Sequence, residues 1–309
     1  MAHLLSAYAE GVSIFAAVRP EDAEQPVTLP PAAGWNGQPQ PNVVVVPFEL
    51  LDAAQVTGAI LETRPDQIVH LAARSSGADA DRDAVTAVNV EGTRNVLDAA
   101  ALLPTFPRAL VVSTGYVYGD TQLDRPAREE DPIGPLWRYG PYTDSKIEME
   151  SVARNYRAFA ITARPFSHTG PGQPPHFALP GFARQLARME RSLEPPVLRV
   201  GNLAARRDIL DVRDVVRAYD FLLTAGNPGE TYNVATGAPV AIRDAVDRLR
   251  ALCRVPTEVE IDPARLRPAD IACSTGDAFR LRETTDWMPR ITLESTLRDT
   301  LDYWRSQTE

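Results

Sequence analysis

The stretch PYTDSK, Pro141 to Lys146, sets a tyrosine and a lysine four residues apart. On a helix that spacing is just over one turn, so Tyr142 and Lys146 project from one face. An ammonium beside a phenol favours the phenolate, which makes the two side chains an acid/base pair. Lysine suits this work better than arginine, because it is a compact point charge with rotatable donors that reach sugar hydroxyls. The chain holds 32 Lys plus Arg residues, and Lys146 is the sole lysine among them. A Y-x-x-x-K spacing occurs by chance in many proteins of this length, so its neighbours must decide.

The first neighbour is VVSTGYVYG, Val111 to Gly119, an apolar run followed by the hydroxyls of Ser113 and Thr114. Hydroxyls at the carboxyl end of a buried parallel strand stand where such a sheet meets its ligands. The elements around it alternate. Val12–Arg19, Val43–Phe48, Gln67–Ala73, Ala109–Thr114 and Ala160–Arg164 read as strands. Asp52 reads as the cap of a helix to about Thr63, and Asp83–Leu103 and Pro141–Ala158 as long amphipathic helices. Continuous apolar strands alternating with helices predict an α/β doubly wound, Rossmann-type parallel sheet covered on both faces. After Pro165 the texture turns to Pro/Gly loops mixed with helices, as in HTGPGQPPHF. The division expected is a dinucleotide-binding domain of residues 1–165 with 206–228 and a smaller substrate domain of 166–205 with 229–309.

The bulk numbers narrow the classes. A net charge of −9 without a basic block argues against nucleic acid or an anionic membrane as partner. Cys253 and Cys273 lack ligand spacing, and His3, His70, His168 and His176 form no i,i+4 pair, so no metal site is expected. No apolar run approaches the roughly 20 residues of a membrane span, and the N-terminus lacks a signal-peptide pattern. A cytoplasmic protein is the default.

With strand-end hydroxyl, Y-x-x-x-K helix and βα alternation together, the chain resembles the extended short-chain dehydrogenase/reductase family, also described as NAD-dependent epimerases and dehydratases. The resemblance implies that Thr114 orients the substrate carbonyl and Tyr142 donates the proton. It implies that Lys146 binds the nicotinamide ribose and lowers the tyrosine pKa. HLAARSS resembles the segment along the cofactor, with Leu71, Ala72 and Ala73 against it and Ser75 and Ser76 turned to the sugar. NVEGT supplies Asn89, which supports the site in relatives; helix packing is a role it can hold as well. FELLD puts Glu49 and Leu50 beside the adenine, and Pro165 borders the nicotinamide pocket. Arg19 is placed to meet a 2′-phosphate, which favours NADP over NAD, against the competing reading of an ordinary surface arginine.

The segments Arg164–Gln173, Val200–Asp214, Tyr232–Gly237, Arg265–Asp270 and Asp286–Leu297 resemble members that reduce GDP-linked 4-keto-6-deoxyhexoses. That likeness implies Arg207 and Arg267 on the diphosphate, since guanidinium binds phosphate oxygens in bidentate fashion. It implies Tyr116 and Ser167 at the sugar; His168, adjacent to the substrate segment, reads equally as a sugar contact and as a loop-packing residue. Ser167 stands where relatives often have Asn, which leaves the hexose open. Dehydratases of the family carry an acidic pair just after the strand-end hydroxyl, whereas this chain has Gly115 and Tyr116. The expectation is therefore an NAD(P)H-dependent reductase of a nucleotide sugar, with homodimerisation through the two long helices as the family habit. A 4-epimerase with retained NAD and a cofactor-free sugar-nucleotide binder are the alternatives.

The opening departs from the family. Members begin with a strand and a G-x-x-G-x-x-G turn, whose backbone cradles the pyrophosphate. Met1–Gly11 resembles instead the helix that follows that turn. A first strand missing from the sheet is the expectation, with a start codon assigned too late as its favoured explanation.

Overall fold

The computed structural model describes residues 13–24, 43–75, 81–121, 125–134, 140–266 and 271–307. The opening stretch Met1–Gly11, Ser76 and Arg267 lie outside them. In chain order the first half reads β1 (Ile14–Val18), β2 (Val43–Pro47), α1 (Ala53–Thr63), β3 (Gln67–His70), α2 (Arg82–Thr86), α3 (Gly92–Ala101), β4 (Arg108–Val112), α4 (Pro141–Ala153) and β5 (Ala160–Pro165). The second half reads β6 (Ser167–Thr169), α5 (Ala178–Glu190), β7 (Val197–Val200), β8 (Arg206–Arg207), β9 (Ile209–Asp211), α6 (Val212–Ala225), β10 (Thr231–Val234), β11 (Val240–Ala241) and α7 (Ile242–Leu252). It closes with β12 (Glu258–Ile261), β13 (Cys273–Ser274), α8 (Phe279–Thr285) and α9 (Leu293–Ser306).

The main sheet is parallel, in the order β10-β5-β4-β3. Its strands are covered on both faces, as their unbroken apolar runs require. Ala109 and Val111 of β4 pack with Leu97, Met149 and Val152 of α3 and α4. Leu110, between them, packs on the other side with Leu222 and Leu223 of α6. β1 and β2 form a parallel pair of their own. Among the described residues no ladder joins β1 to β3.

Asp52 caps α1 as its type predicts, its carboxylate accepting from the Ala54 and Gln55 amides. Other boundaries differ from the sequence reading. The helix expected over Asp83–Leu103 runs from Arg82 to Ala101 and carries a π-turn at Ala87–Glu91, on which Asn89 is buried. The helix expected to reach Ala158 ends at Ala153, followed by a 3₁₀ turn at Arg154–Tyr156. β3 stops at His70, where its pairing with Val111 ends, and Leu71–Ser75 leave the sheet. β10, assigned by texture to the substrate part, pairs with β5 from Thr231↔Thr162 to Val234↔Pro165 and so belongs to the main sheet. A second core, built from α5, α7, α9 and β7 around Leu186, Leu198, Leu249 and Leu297, forms a separate layer.

Candidate active site

α4 begins at Gly140, whose φ of 93° is the left-handed geometry that glycine tolerates, and Pro141 follows in the first helical position. That start sets Tyr142 in the first turn and Lys146 one turn on. Lys146 is buried, and its ammonium donates to the Val112 carbonyl at 2.7 Å and to the Met149 sulfur at 3.6 Å. It lies 5.9 Å from the centre of the Tyr142 ring. Val112 is the last residue of β4, so the strand end holds the lysine. Two residues later the buried Thr114 hydroxyl accepts from the Tyr116 amide at 3.3 Å and lies beside the Tyr142 phenol. Strand end and helix start are thereby locked together at the three expected catalytic residues.

The electrostatics correct one expectation. Tyr142 is pushed up to about 12, by burial first and by the neighbouring Tyr116 second, while the Thr114 hydroxyl pulls the other way. Desolvation of the phenolate dominates, so the phenol holds its proton rather than losing it. Burial likewise pulls Lys146 down to about 8, against the opposing pull of Glu150. Tyr142 is thus protonated at neutral pH, and Lys146 a cation close to its titration point.

Asn89 is fully buried on the π-turn. Its side-chain oxygen accepts from the Arg74 amide at 2.7 Å, and its amide donates to the Arg74 carbonyl at 3.2 Å and to Ser145 Oγ at 2.8 Å. Asn89 therefore ties the segment after β3 to the catalytic helix, and packing and site support coincide in one side chain. Behind it, Thr93 donates to the Asn89 carbonyl at 2.7 Å, so it must accept from His70 Nε2, 2.9 Å away. Burial holds His70 neutral, down at about 3.

Matches to known proteins decide the kinship. Residues 10–300 match the family model described as GDP-mannose 4,6 dehydratase. The chain belongs to this family. GDP-6-deoxy-D-mannose reductase of Pseudomonas aeruginosa is 36% identical over 267 residues, covering 84% of this chain and 86% of that protein. UDP-glucose 4-epimerase of Mycolicibacterium smegmatis is 31% identical, covering 85% and 84%. Among solved structures, RMD from Pseudomonas aeruginosa complexed with NADPH superposes with a TM-score of 0.79 at 33% identity, covering 88% of this chain and 92% of that one. UDP-glucose 4-epimerase of Thermus thermophilus in complex with NAD gives 0.74 at 27% identity, covering 86% of each. The Rossmann-type α/β fold and the extended short-chain dehydrogenase/reductase kinship expected from the motifs are those of the family.

Other positions expected from the family fall out unevenly. Ala72, Ala73 and Ser75 are exposed beyond the end of β3, while Leu71 is half-buried against the main core. Glu49 is exposed; Leu50 packs against α3, its carbonyl accepting from Asn95 at 2.9 Å. Pro165 is buried at the end of β5. Tyr116 and Ser167 meet through their hydroxyls at 3.3 Å. His168 is fixed by its Nδ1 on the Phe166 carbonyl, 3.0 Å away. Arg207 lies in the small sheet β11-β8-β13, beside the buried Asp208, which accepts from Thr236, Gly237 and Thr275. Arg19 is exposed and paired with Glu21 at 2.6 Å and Asp22 at 2.8 Å, so its guanidinium faces its own loop.

The sequence reading put two hydroxyls at the β4 end, but only Thr114 lies beside Tyr142. Ser113 turns back to Glu150 at 2.6 Å, a buried carboxylate that Arg164 neutralises at 2.7 Å. Neither residue was singled out from sequence. The available signals were Glu150 at four residues after Lys146 and a lone cation inside the apolar strand AITARP.

Proposed function

We propose that the protein is an NAD(P)H-dependent reductase of a nucleotide-linked 4-keto-6-deoxyhexose, of the GDP-4-keto-6-deoxy-mannose type. The observation that carries this reading is the contact of Thr114 with Tyr142, with the buried Lys146 beside them. NADPH, when bound, supplies the hydride for the C4 carbonyl. The protein's own part is acid catalysis. Tyr142 keeps its proton at neutral pH and delivers it to the carbonyl oxygen, while Thr114 orients that oxygen. Lys146 has three donors, of which one goes to Val112 and one weakly to a sulfur, leaving one for a ribose hydroxyl. The exposed residues Ala72, Ala73 and Ser75 lie at the carboxyl end of β3, where a cofactor meets such a sheet. Arg19, Glu49 and Leu50 on the adenine side, Arg207 and His168 on the nucleotide-sugar side, complete the proposal, with Tyr116 and Ser167 as the hydroxyl pair at the hexose.

Against dehydration stands the packing at Gly115. A Cβ there would meet the Phe166 ring at 2.8 Å, so the acidic residue that dehydratases carry after the strand-end hydroxyl has no room. The similarity to an NAD-complexed UDP-glucose 4-epimerase favours a 4-epimerase as the second reading. One comparison separates them. GDP-4-keto-6-deoxy-mannose should consume free NADPH stoichiometrically, and UDP-glucose should give no epimer without added cofactor. Epimer formation with no NADPH consumption would replace the reductase by the epimerase.

A further inference from the structure

Behind the catalytic pair, on the same helix, lies a third functional group. Glu150 follows Lys146 by four residues, so both line one face of α4. It is 1% exposed. A buried carboxylate is costly unless it is paired and hydrogen-bonded. Arg164, near the end of β5, pairs with it through Nε at 2.9 Å and Nη2 at 2.7 Å. Tyr118 holds the arginine in turn, accepting from Nη1 at 2.7 Å and donating to Asn233 at 2.8 Å. Charge neutrality asks for nothing more, yet Glu150 also accepts from Ser113 at 2.6 Å. Ser113 stands between Val112, whose carbonyl receives the Lys146 ammonium, and Thr114, which lies beside the Tyr142 phenol. The carboxylate therefore grips the one residue that links both catalytic contacts.

We propose that Glu150, anchored by Arg164 and gripping Ser113, is a positioning residue that fixes the Val112–Thr114 strand end and so holds Lys146 and Tyr142 in register. The activity part of this inference rests on the reductase reading. The groups that face Lys146 are Glu150 on its own helix, the Tyr142 ring, and His70 from β3, which burial keeps neutral. Glu150 is the carboxylate among them, although Arg164 shares its charge.

Because Lys146 is the sole lysine, protein grown with ¹³C-lysine gives a single side-chain NMR signal that needs neither substrate nor cofactor to read. Ser113→Ala should shift or broaden that signal and lower kcat for NADPH-dependent reduction about tenfold, with KM values within twofold and Tm within a few degrees. Ser113→Thr, which returns a hydroxyl, should restore both. Glu150→Gln should move the Lys146 titration midpoint down, since the carboxylate raises it. If Glu150→Gln does not fold, Ser113→Ala and its threonine rescue decide alone. The proposal is overturned if folded Ser113→Ala leaves the lysine signal and kcat unchanged. It is equally overturned if kcat, KM and Tm decline together without rescue, as a merely structural loss would. A wild-type protein that turns over no nucleotide sugar defeats the reductase reading instead, and the NMR result still judges the positioning role.

Discussion

At the residue scale, the site is a compromise between burial and charge. Tyr142→Phe removes the proton donor and keeps the ring, so kcat should fall by about 10²–10⁴-fold with the melting temperature nearly unchanged, measured by NADPH consumption and thermal denaturation. Lys146 sets the pH profile. Its folded pKa of about 8 lies below the ordinary lysine value of 10.5, and Tyr142 at about 12 stays protonated throughout. Activity that depends on the ammonium should therefore decline as pH rises through about 8; a flat profile to pH 10 would remove Lys146 from the mechanism. The stability sign is the opposite. Between the two pKa values the unfolded chain binds the extra proton, so this residue's unfavourable contribution is fully present below about pH 8 and is relieved as pH approaches 10.5. Lys146→Met should accordingly stabilise the fold more at pH 7 than at pH 10, at the expense of activity. Equal Tm differences at both pH values would contradict that. Both residues were legible in the sequence because a four-residue spacing on a helix has only one geometry. The direction of the tyrosine shift was not legible, because it depends on how much water the folded site excludes.

At the element scale, the strand end of β4 and the start of α4 do the positioning, and one aromatic ring fills the space beneath. Phe166 is sandwiched between Gly115 and Gly276; a Cβ at Gly276 would approach its ring to 2.1 Å. The ring is buried and cannot swing into solvent. Gly276→Ala should cost about 1–3 kcal/mol, the usual penalty of overpacking, read as a Tm loss of several degrees. A Tm unchanged by this substitution would mean that Phe166 repacks freely. The strands were readable as apolar runs, and the cap at Asp52 from its residue type. The π-turn at Ala87–Glu91 was not, because its residues fit the helical period and only the inward demand of Asn89 on Arg74 and Ser145 breaks it. Glu150 and Arg164 escaped for a related reason: pairing across α4 and β5 is invisible until the strands are ordered.

At the scale of the molecule, the ladders among the described residues are β1-β2 and β3-β4-β5-β10, and the two differ in support. β5 is buried along its whole length, whereas Phe15 and Val44, register partners in the small pair, are 42% and 48% exposed. A two-stranded ladder is marginal by itself. Native-state hydrogen exchange should find the β4 and β5 amides the slowest and those of β1 and β2 faster by orders of magnitude; equal protection would show one cooperative sheet. The alternation of strands and helices made the doubly wound class legible, while the place of β10 was not, since its membership of the sheet depends on a crossover that composition does not encode.

The central claim is hydride delivery to C4 with Tyr142 as acid. Its most direct test is the product formed from a GDP-linked 4-keto-6-deoxyhexose and NADPH deuterated at the transferring position of nicotinamide C4. The account predicts one deuterium bonded to hexose C4 in the wild-type product and almost no product from Tyr142→Phe. A product without deuterium at C4, or one formed equally fast by the phenylalanine variant, would contradict it.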